Sequence, residues 1–148
     1  MLGFSKKKKK IAMEHLFCGV FVFKKRLYIS YEEKVGGPRC MLFPPKEFDP
    51  GIDAVHLGKE VESALSAYFD KGRRIYADEW EELNKQLLDF FGEKSIGAYE
   101  RKKKEVTVRK EIATGHIELF GPKDKEYLLE NPDAEQLGLK VKELLGLT

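Results

Sequence analysis

The chain has little of what most catalytic sites are made from. Its 148 residues include three histidines, two cysteines and one tryptophan. His15, His56 and His116 stand apart from one another, and none has a second histidine, a cysteine or a carboxylate at metal-ligand spacing. That speaks against a zinc site. Cys18 and Cys40 fall in apolar stretches and read as reduced core thiols of a cytosolic protein, not as a disulfide scaffold or a Cys–His nucleophile pair. No apolar run approaches the roughly 20 residues a membrane span needs; the longest, residues 16–23, is broken by Gly19. There is no phosphate-cradling glycine loop, because Gly36-Gly37-Pro38 leads into neither a helix nor a Lys-Ser/Thr pair. Charge of one sign is also scarce: 27 basic side chains nearly cancel 25 acidic ones, leaving +2. A nucleic-acid field would have to come from clustering and not from the total.

What is present suits one globular domain. At 42% hydrophobic and 35% charged, the chain is too apolar to stay disordered. Five consecutive lysines, Lys6 to Lys10, precede a short apolar segment, but Glu14 and His15 interrupt its start and no small-residue cleavage site follows. Residues 1–10 therefore read as a flexible basic tail, and residues 11–148 as a single domain.

Periodicity supplies the elements. Residues 16–23 read as a buried strand, residues 26–32 as an alternating one, and residues 39–43 as a third, stopped by Pro44 and Pro45. A helix over 55–69, capped by Asp53, puts Leu57, Val61, Ala64, Leu65 and Tyr68 on one face. A second, over 78–91, points Trp80, Leu83, Leu87 and Phe90 inward and gathers Asp78, Glu79, Glu81 and Glu82 at its positive end; Gly92 stops it. Three short strands over 95–100, 105–110 and 116–120 precede a final helix over 134–145, capped by Asp133 and Gln136.

The two halves echo each other. An offset of 77 lays Ile29 on Val106, Tyr31 on Val108, Cys40 on Ile117 and Pro45-Lys46 on Pro122-Lys123. After a three-residue insertion, an offset of 80 lays Asp53 on Asp133, Leu57-Gly58 on Leu137-Gly138, and Val61 and Leu65 on Val141 and Leu145. The shared unit is strand, turn, strand, Pro-containing loop, capped helix. Two such units imply an α+β fold: a single two-layer domain with an antiparallel or mixed sheet and about three helices. Glycine early in a helix costs about 1 kcal/mol relative to alanine, so Gly58 and Gly138 imply close packing, expected against the sheet.

Residues that could carry chemistry are few. Glu100-Arg101-Lys102 matches half of a metal-dependent nuclease pattern, but the available second acid, Asp89, lies on a helix. The basic groups at 24–26, 73–74 and 101–104, with Tyr28, Tyr31 and Tyr99 nearby, would suit RNA. Those at 24–26 and 101–104 read equally as solvated hairpin turns. The sequence thus points to no catalytic, cofactor or metal-binding set, and to a protein that works by binding another macromolecule.

The ordered motifs resemble the immunity proteins of bacterial contact-dependent growth inhibition systems. The likeness rests on Leu57-Gly58-Lys59-Glu60-Val61-Glu62-Ser63-Ala64-Leu65, on Leu137-Gly138-Leu139-Lys140-Val141-Lys142-Glu143-Leu144-Leu145, on Trp80 between them, and on Leu119-Phe120-Gly121-Pro122. It covers residues 26–145. The resemblance implies a cytoplasmic antitoxin that binds the C-terminal toxin domain of a delivered protein one-to-one and occludes its active site, with a nuclease as the expected toxin and no membrane or nucleic-acid partner. A basic nuclease cleft would be met by carboxylates. With the motif residues in the core, contacts are expected on loops and exposed helix faces: Glu32, Glu33, Asp49, Glu79 and Glu82. The alternative is an RNA-binding or ribosome-associated module using the basic turns.

Overall fold

The structure, a computed structural model, describes residues 13–147; the basic run at 6–10 lies outside them. Chain order is β1 (His15–Phe23), β2 (Arg26–Lys34), β3 (Arg39–Met41), β4 (Lys46–Phe48), α1 (Ala54–Ser66), β5 (Phe69–Asp70), α2 (Ala77–Phe91), α3 (Ile96–Lys102), β6 (Lys104–Glu111), β7 (Ile117–Phe120), a 3-10 turn (Pro122–Asp124), β8 (Glu126–Leu129) and α4 (Ala134–Leu145). The sheet runs β3-β2-β1-β6-β7-β8, with β4 and β5 also pairing to β2. Every pairing is antiparallel except the short one between β5 and β2, so the sheet is mixed.

β1 is central, and both of its faces are covered. Cys18 and Val20 face the main core with Leu27, Ile29, Val106, Val108, Ile117 and Leu119, under α1 and α4. Phe21 and Phe23 face the other way, into an aromatic cluster with Tyr28 of β2, Phe91 of α2 and Tyr99 of α3. That two-sided burial is why residues 16–23 read as an unbroken apolar run. The two-layer core implied by the sequence lies between the sheet and α1/α4; α2 and α3 add a second, partial layer behind it. Both cysteines are free and buried.

The repeat is visible in the registers. β2 pairs Glu32 with Met41 of β3, and at the offset of 77 β6 pairs Arg109 with Glu118 of β7. Val20 of β1 faces Ile29 on one side and Val106, its offset partner, on the other. The glycines follow the offset of 80, but not in the expected direction. A Cβ on Gly58 would collide with the backbone of Ala134, and one on Gly138 with the backbone of Ala54. Each helix thus presses its glycine onto the first residue of the other, so the close approach is helix to helix, not helix to sheet.

Two further elements differ from the sequence expectation. Residues 95–100 are not a strand: Ser95 Oγ accepts the Ala98 N–H at 3.1 Å and starts α3, which gives four α-helices among the described residues instead of about three. Tyr99, packed on Phe21, Phe23 and Phe91, explains why: burying that ring outweighs the weak local strand preference. In α2 the buried aromatic is Phe91, whereas Phe90 is 45% exposed.

Glycine to alanine in an open helix stabilises by about 1 kcal/mol. Gly58→Ala and Gly138→Ala should each do the opposite, destabilising by about 2 kcal/mol or more, because backbone and not a movable side chain blocks the new methyl. Urea midpoints measure this; a gain in stability would mean the helices do not cross there.

Candidate partner-binding groove

α2 is anchored at only one end. Its last turn buries Phe91, and Phe90 meets Phe43 edge-on at 5.2 Å. Lys24 in the β1–β2 turn holds the Phe91 carbonyl at 3.1 Å, and Gly92 ends the helix in the left-handed conformation. Toward its start the helix stands away from β3. The groove left between them, about 390 Å³, is lined by Glu33, Cys40, Met41, Leu42, Phe43, Lys71, Ile75, Glu79, Glu82, Leu83 and Gln86. Trp80 and Leu87 line a smaller hollow beside it, against Cys40, Met41 and Phe43. Only Phe91 of α2 is buried, so Trp80 and Leu83 remain partly open to solvent. Exposed apolar surface rimmed by charged side chains is the general character of interaction sites.

Three of the five carboxylates expected at an interface, Glu33, Glu79 and Glu82, come together on this rim. They differ in state. Glu33 is 5% exposed and meets Lys71 Nζ at 3.4 Å; its depth leaves it little surface to offer. Glu79 is gripped by both terminal nitrogens of Arg73, at 3.1 and 2.9 Å, and accepts the Tyr76 N–H at 3.2 Å. The Arg73 fork, helped by that backbone N–H, holds the Glu79 carboxyl down to about 2. Glu82 is exposed and, among the described residues, has no ion pair.

The other two lie elsewhere. Asp49 is exposed after β4, 3.7 Å from Arg26. Glu32 alternates with Glu33 along β2 and so points to the opposite face. There it accepts from Arg39 at 2.7 Å and from Ser30 Oγ at 3.0 Å. It shares the space above Gly19 with Glu105, and a Cβ on Gly19 would meet both carboxylates. Burial pushes the Glu32 carboxyl above its ordinary 4.5; Arg39 and Ser30 pull it back, and Glu105 pushes it up again.

A larger cleft, about 610 Å³, opens where β1 parts from β2 beside His15, Phe17, Arg39 and Tyr68. None of the five carboxylates lines it, and its lining carries two basic side chains, Lys34 and Arg39, and two acidic ones, Glu14 and Asp70. The basic groups have local partners. Lys24 and Lys102 converge on Glu93 at 3.1 and 2.8 Å, and Lys103 bridges Glu100 and Glu105 at 3.4 and 3.1 Å. Residues 24–25 form the expected hairpin turn, but 101–104 run from α3 into β6. Among the described residues no group of three or more His, Cys, Asp or Glu side chains could hold a metal ion. No helix among them is long and apolar enough to cross a membrane.

This fold, a mixed sheet with a reciprocally packed helix pair in front and a partial helical layer behind, is found in solved structures. A protein of unknown function from Neisseria meningitidis matches with a TM-score of 0.67 and 16% identity, over 93% of this chain and 98% of that one. A chain from the CdiA-CT/CdiI toxin and immunity complex of Yersinia pseudotuberculosis matches with a TM-score of 0.64 and 12% identity, over 91% of this chain and 98% of that one. No family model and no curated protein matches the sequence. At such identities the likeness is one of fold, and it agrees with the resemblance to contact-dependent growth inhibition immunity proteins read from the sequence.

Glu32 supplies a pH test. With its folded carboxyl raised above 4.5, the folded state holds that proton more tightly than the unfolded chain does. The stability it contributes is complete below the unfolded value and is lost as pH rises through the folded one. Glu32→Gln should therefore gain on the wild type as pH rises from about 4 to about 7 in thermal unfolding. A difference that shrinks over that range would refute the buried-carboxylate assignment.

Proposed function

We propose that the protein is an immunity protein of a contact-dependent growth inhibition system: a cytoplasmic antitoxin that binds one toxin domain and blocks its active site. The observation that carries this reading is the groove between β3 and α2, where an apolar floor and a carboxylate rim meet on a fold shared with a toxin and immunity complex. The toxin fitting that rim is one with a basic cleft, and nucleases, which must hold phosphates, have such clefts. Carboxylates on an inhibitor speed encounter with a basic cleft and reject acidic partners. The apolar floor supplies buried anchors inside the charged rim. The complex is one-to-one, and a Kd near or below about 1 nM, roughly −12 kcal/mol, is needed to silence a lethal enzyme. Glu79 and Glu82 are the accessible contacts in the groove; Glu32, Glu33 and Asp49 contribute as supports or at the margin.

Capture from lysate of the source bacterium in about 0.3 M salt, a concentration at which surface charge attraction is largely screened, with nuclease added, tests the reading. A stoichiometric toxin-domain fragment should be recovered, and purified protein should abolish that fragment's activity. Glu82→Arg should weaken the complex at least about tenfold, while Glu135→Arg on α4 should leave it unchanged. Recovery of ribosomal proteins or RNA alone would contradict the proposal.

A further inference from the structure

Glu79 is already occupied by a guanidinium. Arg73 lies in the exposed stretch after β5 and reaches forward to fork both of its terminal nitrogens onto the two carboxylate oxygens. The carboxylate is set beforehand by two constraints independent of Arg73. It caps the Tyr76 N–H at 3.2 Å, and it stands in the first turn of α2, where the positive helix end holds an anion. The result is a planar, two-oxygen acceptor fixed in orientation, a geometry that suits arginine and not lysine.

Arg73 itself is held lightly. Its side chain is 49% exposed, and its neighbours Gly72 and Arg74 are exposed as well. The segment is tied down at Lys71, whose N–H donates to the Lys34 carbonyl at 2.9 Å, and at Gly72, whose N–H donates to Asp70 Oδ1 at 2.9 Å. Beyond those bonds, and a hydrogen bond that Arg73 Nη1 donates to the Arg74 carbonyl at 2.8 Å, its tie to α2 is the fork. An exposed ion pair of this kind contributes little, so exchanging one guanidinium for another is inexpensive. The partner's arginine would arrive over Glu82, the unpaired carboxylate one turn along the same helix, with Leu83, Ile75 and Phe43 beside it for an apolar neighbour.

We propose that Arg73 is an internal stand-in: the seat on Glu79 belongs to an arginine of the bound partner, next to an apolar side chain that enters the groove between β3 and α2. This rests on the toxin-binding reading for the partner's identity, but not for the chemistry of the seat. The occupant is thus an arginine-plus-apolar segment of a protein, and Arg73 screens weaker cations while the groove is empty.

The test is an NMR titration of the full chain with a synthetic probe, acetyl-Leu-Arg-Leu-Leu-Arg-Leu-amide, and with its lysine and glutamate counterparts. Shifts should concentrate in residues 40–43 and 75–87. Removing the competitor with Arg73→Gln should tighten binding by about two- to fivefold, the factor equivalent to a surface ion pair. Glu79→Gln should weaken it, as should Glu82→Gln, which leaves the helix cap intact. The lysine peptide should bind less tightly than the arginine one. Equal binding of the glutamate peptide, or an Arg73→Gln affinity no better than wild type, would overturn the proposal. If a toxin is captured but the probe ignores the groove, this inference alone fails. If the probe seats as described but no toxin exists, the seat stands and the immunity reading fails.

Discussion

Everything in the fold depends on how closely α1 and α4 cross. Gly58 lies on the backbone of Ala134 and Gly138 on that of Ala54, so two helices capped alike meet through matching positions. Without side chains at those points the helices approach near enough to share one side of the sheet. Leu57, Val61, Leu65, Leu137, Val141 and Leu145 then seal that side completely. With one face closed, the aromatic residues of β1 are left facing the other, and Phe21 and Phe23 draw α2 and α3 onto it. The second layer covers only part of that face, because α2 is held by Phe91 and Phe90 near its end. The groove is a consequence of that one-ended anchoring.

Much of this could be read from the residues. The three longer helices, the central strand and the repeat all appear in the periodicity, since each has its apolar face at the spacing its packing requires. The offset of 77 survives as a register offset because hydrophobic alternation fixes which residues oppose each other across β1. Other parts were not legible. β4, β5 and β8 span two to four residues, too few to show a period. α3 reads locally as a strand and is a helix because Tyr99 has a place in the aromatic cluster. The matched glycines announce a close contact, but nothing in a sequence says whether sheet or helix lies opposite.

The candidate site was legible as chemistry and not as geometry. The acidic start of α2 is visible as a charge run, and it serves both readings given to such runs: Glu79 caps its helix and also faces the groove. That Glu33 would join it depends on the path of residues 71–76, which no periodicity describes. Glu32 and Glu33 are neighbours in sequence and part company in space, one under Arg39 with Glu105 and one at the groove. Met41, Phe43 and Ile75, which make the floor apolar, belong to a strand end and two loops; only their exposure beside Trp80 and Leu83 marks them as a surface.

The groove between β3 and α2 is the surface proposed to meet a toxin domain. Hydrogen exchange by mass spectrometry, on the protein alone and in the captured complex, addresses it directly. In the free protein the start of α2 should exchange faster than α1 and α4, since local opening follows poor burial. On binding, amides in residues 75–87 and 40–43 should slow markedly, while those of α1 and α4 should stay as they were. Protection confined to the helix pair or to the β8 edge, with the α2 region unchanged, would place the partner elsewhere and contradict the account.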